Sequence, residues 1–222
     1  MTTDEQAAAE ALPLLLEHPA TRRAGRPTRG LVLLLHGGAE HGPQAVTRSS
    51  KPWLRARLLG ANVAPALHRA GLDLWLLRYR QVGWNAAADQ PPAPVRDARW
   101  ALEQARHRYP EQSVALLGHS MGARTALAVS DDPLVRGVVG LAPWFPLGEP
   151  VEPLAGKDLV ALHGRDDRVT SYAETEALLH RAAGVAEHVE MVDMGARGHT
   201  MMDGLRTWNA TVRRQVLAMF LR

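Results

Sequence analysis

The stretch Val114-Ala115-Leu116-Leu117-Gly118-His119-Ser120-Met121-Gly122-Ala123-Arg124-Thr125-Ala126-Leu127 decides the fold. It opens on four aliphatic residues, passes through a G-x-S-x-G pentapeptide and runs on into residues that favour a helix. A serine on so sharp a strand-to-helix turn has its Oγ exposed, and the glycines keep neighbouring side chains out of the bend. In 222 residues with 19 glycines, such a pentapeptide is expected about 0.04 times by chance, before its flanks are considered. Ser120 is therefore read as a nucleophile. The next backbone N–H, that of Met121, opens the helix and points to where an oxyanion would form.

Outward from this stretch, continuous apolar runs recur at Leu31 to Leu35, Leu72 to Leu77, Val135 to Leu141 and Leu159 to Leu162, with a weaker one at His188 to Val192. Runs of this kind suit parallel strands buried on both faces. Helical patterns lie between them. Val95, Ala98, Leu102 and Ala105 share one face of a helix closed by Tyr109-Pro110, and Ser171 with Glu174 makes a capping box for a helix through Ala182. A last helix from about Asp203 aligns Leu205, Trp208, Val212, Val216 and Met219. The alternation predicts an α/β chain: a mostly parallel central sheet of about six to eight strands with helices on both faces. Its site should lie beyond the carboxyl ends of the strands. Residues 1–222 read as one domain, with 1–28 an N-terminal extension or first edge strand.

Composition removes several classes of function. The chain has no cysteine, which excludes a disulfide scaffold, a thiolate metal site and a thiol nucleophile. No H-E-x-x-H or other metal-ligand spacing occurs, so neither metal nor organic cofactor is expected. The sequence pI is about 9.8, yet 24 of the 26 basic residues are arginines dispersed among 23 acids for a net charge of +3. A mixed solvated surface explains this better than a nucleic-acid partner. Met1 to Glu10 holds Asp4 and Glu5 and no basic residue, and the apolar stretch Ala11 to Leu16 is too short for a signal or membrane helix. The expectation is a cytoplasmic protein with no membrane partner. Its oligomeric state is not legible.

From Leu31 onward these elements resemble the α/β-hydrolase family. The resemblance implies that His36-Gly37-Gly38-Ala39, after the first strong strand, supplies a second oxyanion donor from Gly38 or Ala39, with His36 structural. Leu162-His163-Gly164-Arg165-Asp166-Asp167 is similar to the family's His-Gly-x-x-Asp pattern, which aligns Asp167 with the acid and makes Asp166 a surface or turn carboxylate. Asp193 also follows a strand but lies too near the histidine. Gly198-His199-Thr200 precedes the last helix, so Ser120, Asp167 and His199 follow the chain order Ser, Asp, His. His119 is expected to point away across the elbow.

Between the strand ending near Leu141 and the one starting near Asp158 there is no room for a lid. The pattern is similar to lidless esterases of the dienelactone-hydrolase-like and cutinase-like groups. Dienelactone hydrolases use a cysteine, absent here, and Ala142-Pro143-Trp144 is closer to the cutinase group. Trp144, Phe145 and Trp84 are the candidate pocket wall, and Arg78 and Arg80 are candidates for orienting an acidic or carbonyl-bearing substrate. The implied activity is a serine esterase acting on a small carboxylic ester or thioester through an acyl-enzyme. The same triad would also serve an acyltransferase, a peptidase or a cofactor-free perhydrolase, and the same fold could serve a binding protein without turnover.

Overall fold

The computed structural model describes residues 12–19 and 28–221. The stretch Met1 to Glu10, on which the expectation about a signal segment rests, lies outside them. Seven strands form one sheet: β1 (Leu14–His18), β2 (Gly30–Leu35), β3 (Leu72–Arg78), β4 (Val114–His119), β5 (Val135–Leu141), β6 (Asp158–His163) and β7 (His188–Asp193). The spatial order is β1-β3-β2-β4-β5-β6-β7. β1 runs antiparallel to β3, with Leu16 opposite Leu76, and is the first edge strand. Every other pairing is parallel. Strands β2, β4 and β6 are buried along their whole length, as unbroken aliphatic runs require when both faces are covered.

The helices are α1 (Lys51–Arg69), α2 (Ala93–Arg108), α3 (Met121–Ala128), α4 (Tyr172–Ala182) and α5 (Leu205–Met219). Right-handed crossovers place α1, which connects β2 to β3, on the face opposite α2, α3 and α4, because the chain reverses its direction across the sheet after β3. α1 and α5 pack together on one face, α2 and α3 on the other. Helix α4 begins as its sequence predicts, with the Ser171 hydroxyl accepting the N–H of Glu174 at 3.1 Å. Trp75 and Trp208 are buried in the core, and Trp100 packs against it.

Helix α1 is not apparent in the sequence, since Gly60 and Pro65 read as breakers. Gly60 is instead a contact point: a Cβ there would lie 3.1 Å from Leu76 Cδ1, so its absence lets α1 settle onto β3. Between β5 and β6 the structure has only a turn of 3-10 helix, Glu152–Leu154, and no lid.

The reversal positions the site. β2 connects toward β3 on one side while its other neighbour, β4, continues away from it, so the loops leaving the carboxyl ends of β2 and β4 diverge and open a crevice. Register keeps the exits level, with Leu35 opposite Gly118, His119 opposite Leu141, Leu141 opposite Leu162 and His163 opposite Asp193.

Candidate active site

Ser120 is the residue at which β4 becomes α3. Its backbone sits at φ +54°, ψ −119°, a conformation that costs a non-glycine residue about 1–3 kcal/mol. The surroundings impose it. The Ser120 N–H donates to the Leu141 carbonyl at 3.0 Å, and the Ser120 carbonyl accepts from Ala123 at 3.0 Å and Trp144 at 3.3 Å. Two residues on, a Cβ at Gly122 would fall 2.2 Å from the Leu35 carbonyl oxygen. Glycine there lets α3 lie directly on the end of β2.

The loop after β2 comes against the start of α3. A Cβ on Gly38 would lie 2.3 Å from the Val82 carbonyl oxygen and 2.4 Å from Met121 Cε. The N–H of Ala39 donates to that same Val82 carbonyl at 3.1 Å, so it is already committed. Among the described residues none accepts from the N–H of Gly38 or of Met121. His36 anchors the loop: its Nδ1 donates to the Gly37 carbonyl at 2.6 Å and its Nε2 accepts the N–H of Tyr79 at 3.2 Å. Burial lowers its pKa to about 4, so the ring is neutral and structural.

Asp167 is the acid that meets a histidine. His199 Nδ1 is 2.9 Å from Asp167 Oδ2, and the same oxygen accepts from the Thr170 hydroxyl at 2.8 Å and from His163 Nε2 at 3.2 Å. The other oxygen accepts the N–H groups of Val169 and Thr170 at 2.8 and 2.9 Å. Burial alone would raise the carboxyl's pKa. The bonds from His163, His199 and the two backbone groups outweigh burial and hold it well below the usual carboxylate range. An ionised acceptor makes Nδ1 of His199 the protonated nitrogen, leaving the Nε2 lone pair free to take a proton. Asp166 is exposed and Asp193 is bound to Arg165.

His199 lies near Ser120. The structure corrects the expectation for His119: the ring does not point away but faces His199, with ring centroids 5.0 Å apart and Nε2 3.0 Å from the His199 carbonyl oxygen. The reason is burial under the terminal loop, where that carbonyl is its acceptor. Burial, reinforced by His199, lowers its pKa to about 3, so His119 is a neutral donor that holds the loop.

On the other flank, the Trp84 and Trp144 rings meet edge-on at 6.1 Å. The Arg124 Cζ lies over both, 4.2 and 4.5 Å from their centroids, and its Nε donates to Glu149 Oε2 at 2.7 Å.

The alpha/beta hydrolase fold family model matches residues 30–218. The chain belongs to the α/β-hydrolase family. Among solved structures, this α/β hydrolase is similar to an alpha-beta serine hydrolase homologue from Coxiella burnetii (19% identity, 91% of each chain, TM-score 0.66). It is also similar to an α/β serine hydrolase without a lid from Xanthomonas campestris (14% identity, 93% of this chain and 88% of that one, TM-score 0.66). A third is Est1E from Butyrivibrio proteoclasticus, solved with ferulic acid bound (12% identity, 95% and 96%, TM-score 0.68). No curated protein matches the sequence.

In this α/β hydrolase, then, Ser120, Met121, Gly38, Asp167 and His199 all stand at the carboxyl edge of the sheet. Phe145 does not share the surface of the site: it is 1% exposed and packed in the core beneath Gly140. Arg80 is engaged within the protein, its Nε bound to one oxygen of buried Asp97 at 2.6 Å and its backbone N–H to the other at 2.8 Å. Sequence reasoning missed Thr170 and Arg124; His163 is a fully buried core histidine whose ring nitrogens meet Thr175 Oγ1 and Asp167 Oδ2. Among the described residues no group of three or more His, Cys, Asp or Glu is arranged to hold a metal ion, and no helix is long and apolar enough to cross a membrane.

Proposed function

We propose that this chain, a single domain over residues 1–222, is a serine hydrolase that cleaves a carboxylic ester or thioester. The observation that carries this reading is Ser120 at a left-handed elbow beside an imidazole whose Nδ1 is 2.9 Å from an ionised carboxylate. A serine hydroxyl is a weak nucleophile at neutral pH and needs such a base. His199 Nε2 takes the Ser120 proton as Oγ attacks the carbonyl carbon, and Asp167 holds the tautomer and stabilises the imidazolium. The N–H groups of Gly38 and Met121 receive the oxyanion. Of the two expected loop donors Gly38 is preferred, since Ala39 is bonded to Val82. The imidazolium then protonates the departing alcohol or thiol, leaving an acyl-Ser120. His199 next deprotonates a water that attacks the ester carbon, and the acid leaves as Oγ regains its proton.

Two measurements test this. A fluorophosphonate probe should label Ser120 stoichiometrically, and Ser120→Ala should lower kcat on an activated ester by about 10³-fold or more with the fold intact. Folded protein that takes no label, or a Ser120→Ala variant of near-normal activity, would sink the reading. A panel of esters, thioesters and amides, run with water and with added alcohol or peroxide, separates hydrolysis from acyl transfer.

A further inference from the structure

The Arg124 guanidinium is held in place on three sides. Its Cζ lies over Trp84 and over Trp144, and its Nε is bound to Glu149, whose side chain is only 6% exposed. Its terminal amino groups are different. Among the described residues no acceptor is bonded to either Nη, and the side chain keeps 17% of its exposure. A second cation adjoins the pair: Arg181 Nη1 donates to the Glu149 carbonyl at 2.9 Å. A second guanidinium therefore stands beside Glu149, bonded to its backbone carbonyl while Arg124 holds its carboxylate.

Its position ties it to the site. Arg124 is in the first turn of the helix that the elbow opens, and its backbone N–H donates to the Ser120 carbonyl at 3.4 Å. Each flanking tryptophan is tied to the catalytic loops through its main chain: the backbone N–H of Trp144 donates to the Ser120 carbonyl at 3.3 Å, and the backbone N–H of Trp84 donates at 2.8 Å to the carbonyl of Ala39, next to Gly38. The guanidinium is thus stacked on the two residues whose main chains join the loops on either side of the nucleophile. A planar pair of N–H groups matches a carboxylate in two parallel bonds, and indoles that exclude water strengthen those bonds.

Building on the esterase reading, we infer that Arg124 is a specificity-determining residue that binds a free carboxylate on the substrate, so that the preferred esters are half-esters of dicarboxylic acids. The competing role for the same residues is a brace, in which Arg124 and Glu149 merely fasten the loop between β5 and β6.

Binding and turnover both test the inference. In the Ser120→Ala variant, monomethyl glutarate should bind saturably, quench or shift tryptophan fluorescence, and bind at least tenfold more tightly than methyl hexanoate. Removing Arg124 alone would strand a buried carboxylate, so the informative comparison is Arg124→Gln/Glu149→Gln against Glu149→Gln. The double variant should bind the half-ester about 30-fold more weakly than the single one, the effect of losing a charge-assisted pair. With Ser120 intact, the ratio of kcat/KM for half-ester over neutral ester should fall by the same factor. Arg124→Lys keeps the charge and fills the slot if the double variant does not fold, and should lower the ratio about fivefold. A preference for the neutral ester, or equal losses on both esters, would overturn the inference in favour of the brace. If the half-ester bound as expected while neither ester was hydrolysed and Ser120 took no probe, the carboxylate site would stand and the esterase reading would fall.

Discussion

Asp167→Asn replaces a carboxylate by an amide of nearly the same shape, and five donors must then share one acceptor oxygen. His199 Nδ1, His163 Nε2 and the Thr170 hydroxyl converge on Oδ2, while the Val169 and Thr170 N–H groups converge on Oδ1. If the amide oxygen stays with the backbone pair, its NH₂ faces Nδ1 of His199. The imidazole then avoids a donor-donor contact by carrying its proton on Nε2, where it is no longer a base. Losing the charge-assisted bond to the imidazolium costs about 2–3 kcal/mol, and returning the ring to its reactive tautomer costs about 2 more. The sum, about 4–5 kcal/mol, corresponds to a drop of about 10³-fold in kcat/KM. The assay is hydrolysis of a small p-nitrophenyl ester at pH 7.5, with Asp166→Asn alongside. Asp166 is exposed, so its variant should stay within about twofold. An Asp167→Asn enzyme that kept more than a tenth of its activity, or an Asp166→Asn enzyme that fell with it, would refute the assignment of the acid.

Gly122→Ala tests the close approach of α3 to β2: the new Cβ would fall 2.2 Å from the Leu35 carbonyl oxygen, and backbone cannot move aside cheaply. It should cost at least about 2 kcal/mol, read as a lower midpoint in urea, and should impair turnover by shifting Met121. Stability should also fall with acid. His36 and His119 stay neutral when folded, with pKa values lowered to about 4 and about 3, so between there and the ordinary value near 6.5 the unfolded chain binds more protons and gains on the native one. From pH 7.5 to 5 the pair should remove about 4 kcal/mol, as urea titrations at the two pH values would show. Asp97 and Glu149, raised by burial, act with the opposite sign, and Asp167, held low, is lost only at more acid pH. A stability that is flat or rising toward pH 5 would contradict neutral burial of the two rings.

What was legible in the sequence divides by range. Strands buried on both faces declare themselves as aliphatic runs, and six of the seven strands lie where such runs predict them, because that pattern is local. The elbow is equally local: Gly118, Ser120 and Gly122 lie within five positions. Helix α1 was lost because Gly60 and Pro65 look like punctuation when the neighbour that uses Gly60, Leu76 on β3, is out of view. Arg124 and Phe145 failed for the same reason. An arginine on an amphipathic helix reads as solvated until Trp84, Trp144 and Glu149 close on it from three loops, and a Trp-Phe pair after a strand gives no hint that one ring turns inward.

The acid shows how local and distant contacts divide the work. Two of the five bonds to Asp167 come from N–H groups two and three residues on, and a third from the Thr170 hydroxyl. Three of the five bonds therefore arise within the turn itself. His163, at the end of β6, adds a fourth donor from the strand that begins this loop. Only the fifth, from His199, spans a long stretch of chain, and it meets an acceptor already fixed in place, so little further conformational entropy is lost in forming it. The terminal loop then needs only coarse placement, which the bond between His119 Nε2 and the His199 carbonyl provides. On this argument His119 and His163 are positioning residues. Under the proposed mechanism His163 orients the carboxylate and His119 holds the loop that carries the imidazole, so damage at either should be felt in kcat more than in KM.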